Sequence, residues 1–212
     1  AESARVQDGG LSVSARAIAA APDPVASRCL RLLLGRLWGG DQNCGAAHLS
    51  ALLRLCRGTS PSAELYLPRN TNARRSYDRL LLVPRIGLIP LEVATLSLPG
   101  HQDCGPWHIS VQREDFRGQP QTPWDFWLDG AAIQALTVRP RRAGDRLTPP
   151  GRLGKTVKKW MIEERLPRFQ RDALPVFDCC GQIAAVAGLG PDRSFVPREG
   201  QHAWHITVSN IE

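Results

Sequence analysis

Two spacings of apolar residues divide the chain. Val25, Cys29, Leu33 and Leu37 form one i,i+4 row, and Leu30, Leu34 and Trp38 form its neighbour. That is the period of a helix with a broad apolar stripe. Arg28, Arg31 and Arg36 fall at its edges or toward solvent, and Gly39-Gly40 ends it. Leu49, Leu52, Leu53 and Cys56 repeat the spacing in a second helix over 48–57, stopped by Gly58. Residues 1 to about 58 therefore read as helical, with an αα-hairpin joined by a short glycine-containing loop. From about Leu65 the period shortens. Segments 77–83, 88–98, 107–113, 124–128 and 135–139 read as short strands separated by Pro, Gly and Asp clusters. Ile109/Val111 and Ile206/Val208 alternate with polar neighbours, as in half-buried strands. Segments 175–177 and 182–187 flank Asp178-Cys179-Cys180-Gly181, which reads as a hairpin turn, and 203–209 is a last strand. One more helix is predicted over 155–166. Helices first, then strands interrupted by a single helix, give an α+β chain: helical over 1–66, β-rich over 67–212.

The length of 212 residues allows one large or two small domains with a real core, and 42% hydrophobic residues exclude wholesale disorder. No apolar run approaches the ~20 residues of a membrane span. Ala1 stands where a complete chain would carry Met, which reads as processing, trimming or a cut from something longer. Nothing near it has a secretory layout. Six cysteines without a CxxC pair (Cys29, Cys44, Cys56, Cys104, Cys179, Cys180) read as reduced thiols in a cytoplasmic protein.

Charge changes the picture more than composition does. The formal net charge is +7, and the 33 residues from Arg139 to Arg171 hold eleven bases against Asp145, Glu163 and Glu164. That segment carries +8 and the rest of the chain −1. Its bases are Arg139, Arg141, Arg142, Arg146, Arg152, Lys155, Lys158, Lys159, Arg165, Arg168 and Arg171, including all three lysines of the protein. A charge run is usually a solvated face. Here the bases outnumber the acids that could pair with them, and the helix over 155–166 has lysines at its start and acids at its end, against the macrodipole. Both features fit an anion-binding surface, with nucleic acid the leading anion. Arg139, Arg141, Arg142 and Arg146 would form a guanidinium strip, with Arg152 and Arg171 beside it. Lys155, Lys158 and Lys159 would add point charges, and Asp145 would orient Arg146.

Other chemistry finds less support. Gly151-Arg152-Leu153-Gly154-Lys155-Thr156 has Pro149 where a phosphate loop needs glycine. His101, Cys104 and His108, with His202 or His205, are types zinc accepts but not at finger spacing, so no metal is expected. No nucleophile elbow or Cys-His frame is present, and no catalytic residue is assigned. Of the six tryptophans, Trp160 alone lies among lysines, where it could stack on a base.

The basic segment also has a recognisable order. Val138-Arg139-Pro140-Arg141-Arg142-Ala143-Gly144-Asp145-Arg146 precedes Pro150-Gly151, Gly154-Lys155 and Val157-Lys158-Lys159. Leu166-Pro167, Arg171-Asp172, Leu174-Pro175-Val176 and Val186-Ala187-Gly188-Leu189-Gly190 follow. Over about 135–212 this resembles the C-terminal domain of bacterial tRNA(Ile)-lysidine synthetases. The helices over 25–37 and 48–57, and Leu67-Pro68 leading to Arg74-Arg75-Ser76-Tyr77, are similar to that family's middle region. The resemblance implies a small β-sandwich-like domain with one basic helix, and an enzyme that uses ATP to attach free lysine to the wobble cytidine of an isoleucine tRNA. That chemistry belongs to an N-terminal domain with a Ser-Gly-Gly-x-Asp-Ser loop, for which Trp38-Gly39-Gly40-Asp41 is a poor match. ATP and Mg²⁺ are accordingly expected on the missing domain and no cofactor here. The partners implied are that domain, isoleucine tRNA and a possible second copy, with Arg74 and Arg75 joining the basic segment in gripping tRNA. The alternative is a docking fragment that uses its apolar helical hairpin and has no RNA role.

Overall fold

The computed structural model describes residues 5–7, 10–40, 44–84 and 90–211, in two units, Ala1–Gly87 and Leu88–Glu212. The first unit opens with β1 (Arg5–Gln7), β2 (Gly10–Ser14), α1 (Ala15–Ala20), α2 (Asp23–Trp38) and α3 (Ala46–Arg57). It closes with β3 (Ser62–Leu67), β4 (Thr71–Ser76) and β5 (Arg79–Pro84). The strands form one antiparallel sheet in the order β1-β2-β5-β4-β3. Period-2 alternation turns Leu11, Val13, Ala73, Leu80 and Leu82 into a shared core with Ala26, Leu30 and Leu34 of α2 and Leu49, Leu52, Leu53 and Cys56 of α3. Each fully buried leucine there contributes about 1.5–3 kcal/mol. Ser14 caps α1 by accepting the Ala17 amide at 3.1 Å, and α2 ends on Gly39 at φ +68°.

This corrects the sequence reading in three ways. The N-terminal region is not purely helical, because β2 precedes the helices and pairs with β5, some 65 residues later. For the same reason the division falls at 87/88 and not at 66/67, since β3, β4 and β5 belong to the first sheet. The apolar stripe of α2 is also rotated: Ala26, Leu30 and Leu34 are buried, while Val25 is 52% exposed and Cys29 lies on the surface. Periodicity sets the width of a stripe, but the sheet beneath decides which part of it is covered.

The second unit contains β6 (Ala94–Thr95), β7 (Gly100–Cys104), β8 (Trp107–Asp115), β9 (Asp125–Asp129), β10 (Thr137–Arg139), β11 (Arg146–Leu147) and β12 (Lys155–Thr156). Then come α4 (Val157–Glu163), β13 (Val176–Cys179), β14 (Gln182–Val186), β15 (Gly190–Pro191) and β16 (His202–Asn210). Two antiparallel sheets result, β15-β14-β13-β10-β6 and β7-β8-β16-β9, with β11-β12 as a separate hairpin. Side chains from both sheets meet in one core that includes Ile109, Phe126, Val138, Phe177, Val186 and Ile206, and Phe126 meets Phe177 edge-on at 5.6 Å. The predicted hairpin turn is present: Cys180 and Gly181 take φ +52° and +89° between β13 and β14, the pattern of a type I′ turn. The strand expected over 88–98 begins outside the described residues, and only Ala94–Thr95 of the rest is a strand. Asp41 also lies outside them. The basic helix is shorter than its periodicity suggested, because Lys155 and Thr156 pair with β11 before α4 begins. All six cysteines are free, and among the described residues no helix is long and apolar enough to cross a membrane.

Candidate nucleic-acid interface

Arg139 ends β10 as a buried residue, 5% exposed, and it is surrounded by acceptors. Nε donates to Asp178 Oδ2 at 2.8 Å, while the two terminal nitrogens donate to Asp145 Oδ2 and Oδ1 at 2.9 and 3.0 Å. The Pro140 carbonyl accepts a further bond at 3.1 Å. Hydrogen bonding by Asp145 raises the guanidinium's affinity for its proton, against the opposing effect of burial and with help from Asp178. Burial alone would push the Asp145 carboxyl up, but the Arg139 bonds and the Arg142 amide outweigh it and hold the carboxyl below its usual range. Arg139 is thus a structural ion, not the first member of a surface strip. Asp145 orients Arg139 and the Arg142 backbone; its expected role toward Arg146 is not what the structure shows.

Four further predicted contacts have protein partners. Arg141 pairs with Asp172 at 2.6 Å. Arg152 reaches Glu164 at 2.6 Å and Glu163 at 3.2 Å, and Lys155 reaches Glu163 at 2.6 Å. Arg171 Nε donates to the Leu166 carbonyl at 2.9 Å. The Lys155 bond, ahead of the charges of Lys155 and Arg152, lowers the affinity of the Glu163 carboxylate for protons despite some desolvation. The order of charges along α4, unfavourable to the helix dipole, is therefore answered through space by the β11–β12 hairpin. Arg152 and Lys155 also lie over the Trp160 ring, 3.9 and 4.5 Å from its centroid. Trp160 itself is 1% exposed and donates to the Leu147 carbonyl at 2.9 Å, so it is a core residue and not a base platform.

What remains is a smaller set. Arg142, Lys158, Lys159 and Arg168 are exposed and form no ion pair with a described residue, and exposed Arg146 has a single long bond to the Gly154 carbonyl at 3.4 Å. Backbone bonds gather most of them. The Val157 amide donates to the Asp145 carbonyl at 2.8 Å, Arg146 pairs with Thr156 across β11–β12, and Thr156 Oγ1 accepts the Lys159 amide at 3.4 Å. The Arg141–Asp172 pair brings the segment holding Arg168 beside the same loop.

The family description "TilS substrate C-terminal domain" matches residues 136–208. That stretch of the second unit is similar to a TilS C-terminal domain. A crystal structure of a TilS C-terminal domain superposes with a TM-score of 0.50 at 25% identity, covering 57% of this chain and 99% of that one. The tRNA(Ile)-lysidine synthase of Geobacillus kaustophilus is 35% identical over 192 residues, 85% of this chain and 40% of its own length. That of Symbiobacterium thermophilum is 30% identical over 200 residues, 88% of this chain and 42% of its own. A bifunctional TilS/HprT protein of Listeria monocytogenes is 29% identical over 194 residues, 87% of this chain and 30% of its own. The chain thus spans less than half the length of these relatives.

Every basic residue predicted between 139 and 171 falls inside the TilS C-terminal domain match, whereas Arg74 and Arg75 lie in the first unit. Arg74 pairs with Glu64 across β3–β4 at 3.1 Å. Arg75 donates to the Leu55 and Gly58 carbonyls and so caps α3. The carboxylates that decide which cations are free were not assigned from sequence. For Glu163 and Glu164 the inverted helix charge order was a usable signal; Asp172 and Asp178 carried none. Among the described residues no three metal-capable side chains converge. His108 bonds Asp103 at 2.6 Å, and His205 lies between Asp125 at 2.6 Å and Glu114 at 3.3 Å, stacked on Trp127.

Proposed function

We propose that this chain is the tRNA-gripping, non-catalytic portion of a tRNA(Ile)-lysidine synthase. One observation carries the reading: within the TilS C-terminal domain match, Arg142, Arg146, Lys158, Lys159 and Arg168 stay exposed and form no ion pair with a described residue, while neighbouring cations are paired. Guanidinium and ammonium groups so placed suit phosphate oxygens. A-form RNA is met largely through phosphates and 2′-hydroxyls, so such a surface recognises shape before base identity. In this reading ATP, Mg²⁺ and the ligation of lysine to the wobble cytidine belong to a catalytic portion outside this chain. The working compartment is the cytoplasm.

Binding of transcribed isoleucine tRNA, measured against salt, tests the proposal. Four to five phosphate contacts give a log–log slope of about −3.5 to −4.5. Changing Arg142, Arg146, Lys158 and Lys159 together to alanine should remove most of that slope; an unchanged slope would refute the reading. A second, docking role for the first unit has its own support in Val25 and Leu32, 52% and 64% exposed on α2. Sedimentation as a monodisperse monomer that ignores the catalytic portion would count against it.

A further inference from the structure

We propose that Asp145 is a positioning residue for anion binding: it holds the 142–146 loop in its binding shape and so presents Arg142 beside the start of α4. The inference builds on the tRNA reading above. Three kinds of bond converge on this one residue. Its carboxylate is bidentate to the buried Arg139, at 2.9 and 3.0 Å. Asp145 Oδ2 also accepts the Arg142 amide at 2.6 Å, and the Asp145 amide donates back to the Arg142 carbonyl at 3.3 Å, which closes the turn. The Asp145 carbonyl accepts the Val157 amide at 2.8 Å, joining that turn to the helix that bears Lys158 and Lys159. Within the turn, Gly144 sits at φ +92°, a conformation L-residues rarely adopt.

A buried arginine anchored on β10 thereby fixes, through one carboxylate, the backbone of an exposed arginine three residues beyond the end of that strand. Side chains presented on a fixed loop lose less freedom on binding than those on a mobile one. The sign of the effect separates this role from simple electrostatics. Asp145→Asn removes a negative charge next to a polyanion site, so charge alone predicts tighter tRNA binding. Loss of positioning predicts weaker binding.

The test uses the full chain and transcribed isoleucine tRNA, at temperatures where each variant is folded by circular dichroism. Asp145→Asn should bind about tenfold more weakly, the size of one charge-assisted contact. Its salt slope should be shallower by about 0.9, the equivalent of one phosphate. Glu199→Gln, an exposed site with the same change of charge, should bind no more weakly than the parent. In an Arg142→Ala background the Asp145→Asn loss should vanish. Gly144→Ala, which strains the turn without meeting any atom within 4 Å, should weaken binding in the same direction and carries the same cycle if Asp145→Asn does not fold. Equal or tighter binding by Asp145→Asn, unchanged binding by Gly144→Ala, or losses that multiply with Arg142→Ala would overturn the proposal. Unchanged binding by the fourfold alanine variant would instead overturn the tRNA reading at this surface, and this proposal with it.

Discussion

Arg139→Met is the most informative single change, because sequence and structure predict opposite phenotypes for it. The side chains of Arg139, Asp145 and Asp178 are 6%, 10% and 13% exposed, so all three charges are largely withdrawn from water. Removing the cation leaves two carboxylates about it without a counter-charge, a loss that costs about 3–5 kcal/mol when one partner of a buried pair is deleted. For a unit of this size that corresponds to a fall of about 10–20 °C in melting temperature. Tryptophan fluorescence in a denaturant series reads the unit directly, since Trp107, Trp124, Trp127, Trp160 and Trp204 all belong to it. The pH dependence has a definite sign. Asp145 titrates below its usual 3.8 in the folded state, so its contribution is complete above that value and fades as pH falls through the lowered one. In Arg139→Met that depression loses its main source while burial still pushes the carboxyl up, so the acid limb flattens and the deficit against the parent shrinks as pH falls. Adding Asp145→Asn and Asp178→Asn to Arg139→Met should recover most of the lost stability, because no charge is then left uncompensated. Arg139→Met deletes no phosphate contact of its own but frees the Asp145 carboxylate from β10, so the tRNA salt slope of the folded variant should be shallower by no more than the roughly 0.9 expected of Asp145→Asn. Unaltered stability together with a slope reduced by one phosphate would refute the burial argument and restore Arg139 to the surface strip.

Three further outcomes are expected. Cys180→Asn should stabilise the second unit by roughly 0.5 kcal/mol, because asparagine tolerates the left-handed position of the β13–β14 turn; a lower melting temperature would contradict the turn assignment. Arg75→Ala should destabilise the first unit by about 1–2 kcal/mol through the orphaned carbonyls at the end of α3, read by Trp38 fluorescence, and should leave the tRNA salt slope unchanged. With Ellman's reagent at pH 8, Cys29 and Cys180 should react fast and the four buried thiols slowly, Cys56 least because burial pushes its pKa up to about 11. A third fast thiol would show that one of the buried sites opens.

Local pattern was informative wherever the determinant was local. The 3.6-residue period over Leu30, Leu34 and Trp38 located α2, alternation located β8 and β16, and the Cys180-Gly181 turn was readable as a dipeptide. The net charge of the 139–171 segment pointed to an anion-binding surface, and its order of motifs resembled the TilS C-terminal domain that matches residues 136–208. β2, β3 and β4 were not read as strands: β2 gains its partner β5 from far along the chain, and a short segment such as Thr71-Asn72-Ala73-Arg74-Arg75-Ser76 shows little apolar alternation of its own. The binding surface divides the same way. Composition alone determined that this segment carries more cations than its own acids can neutralise. Only the tertiary structure decided which of them are free, because Asp178 and Asp172 reach Arg139 and Arg141 from 39 and 31 positions along the chain. Pairing depends on distances through space, and a one-dimensional count of charge contains none.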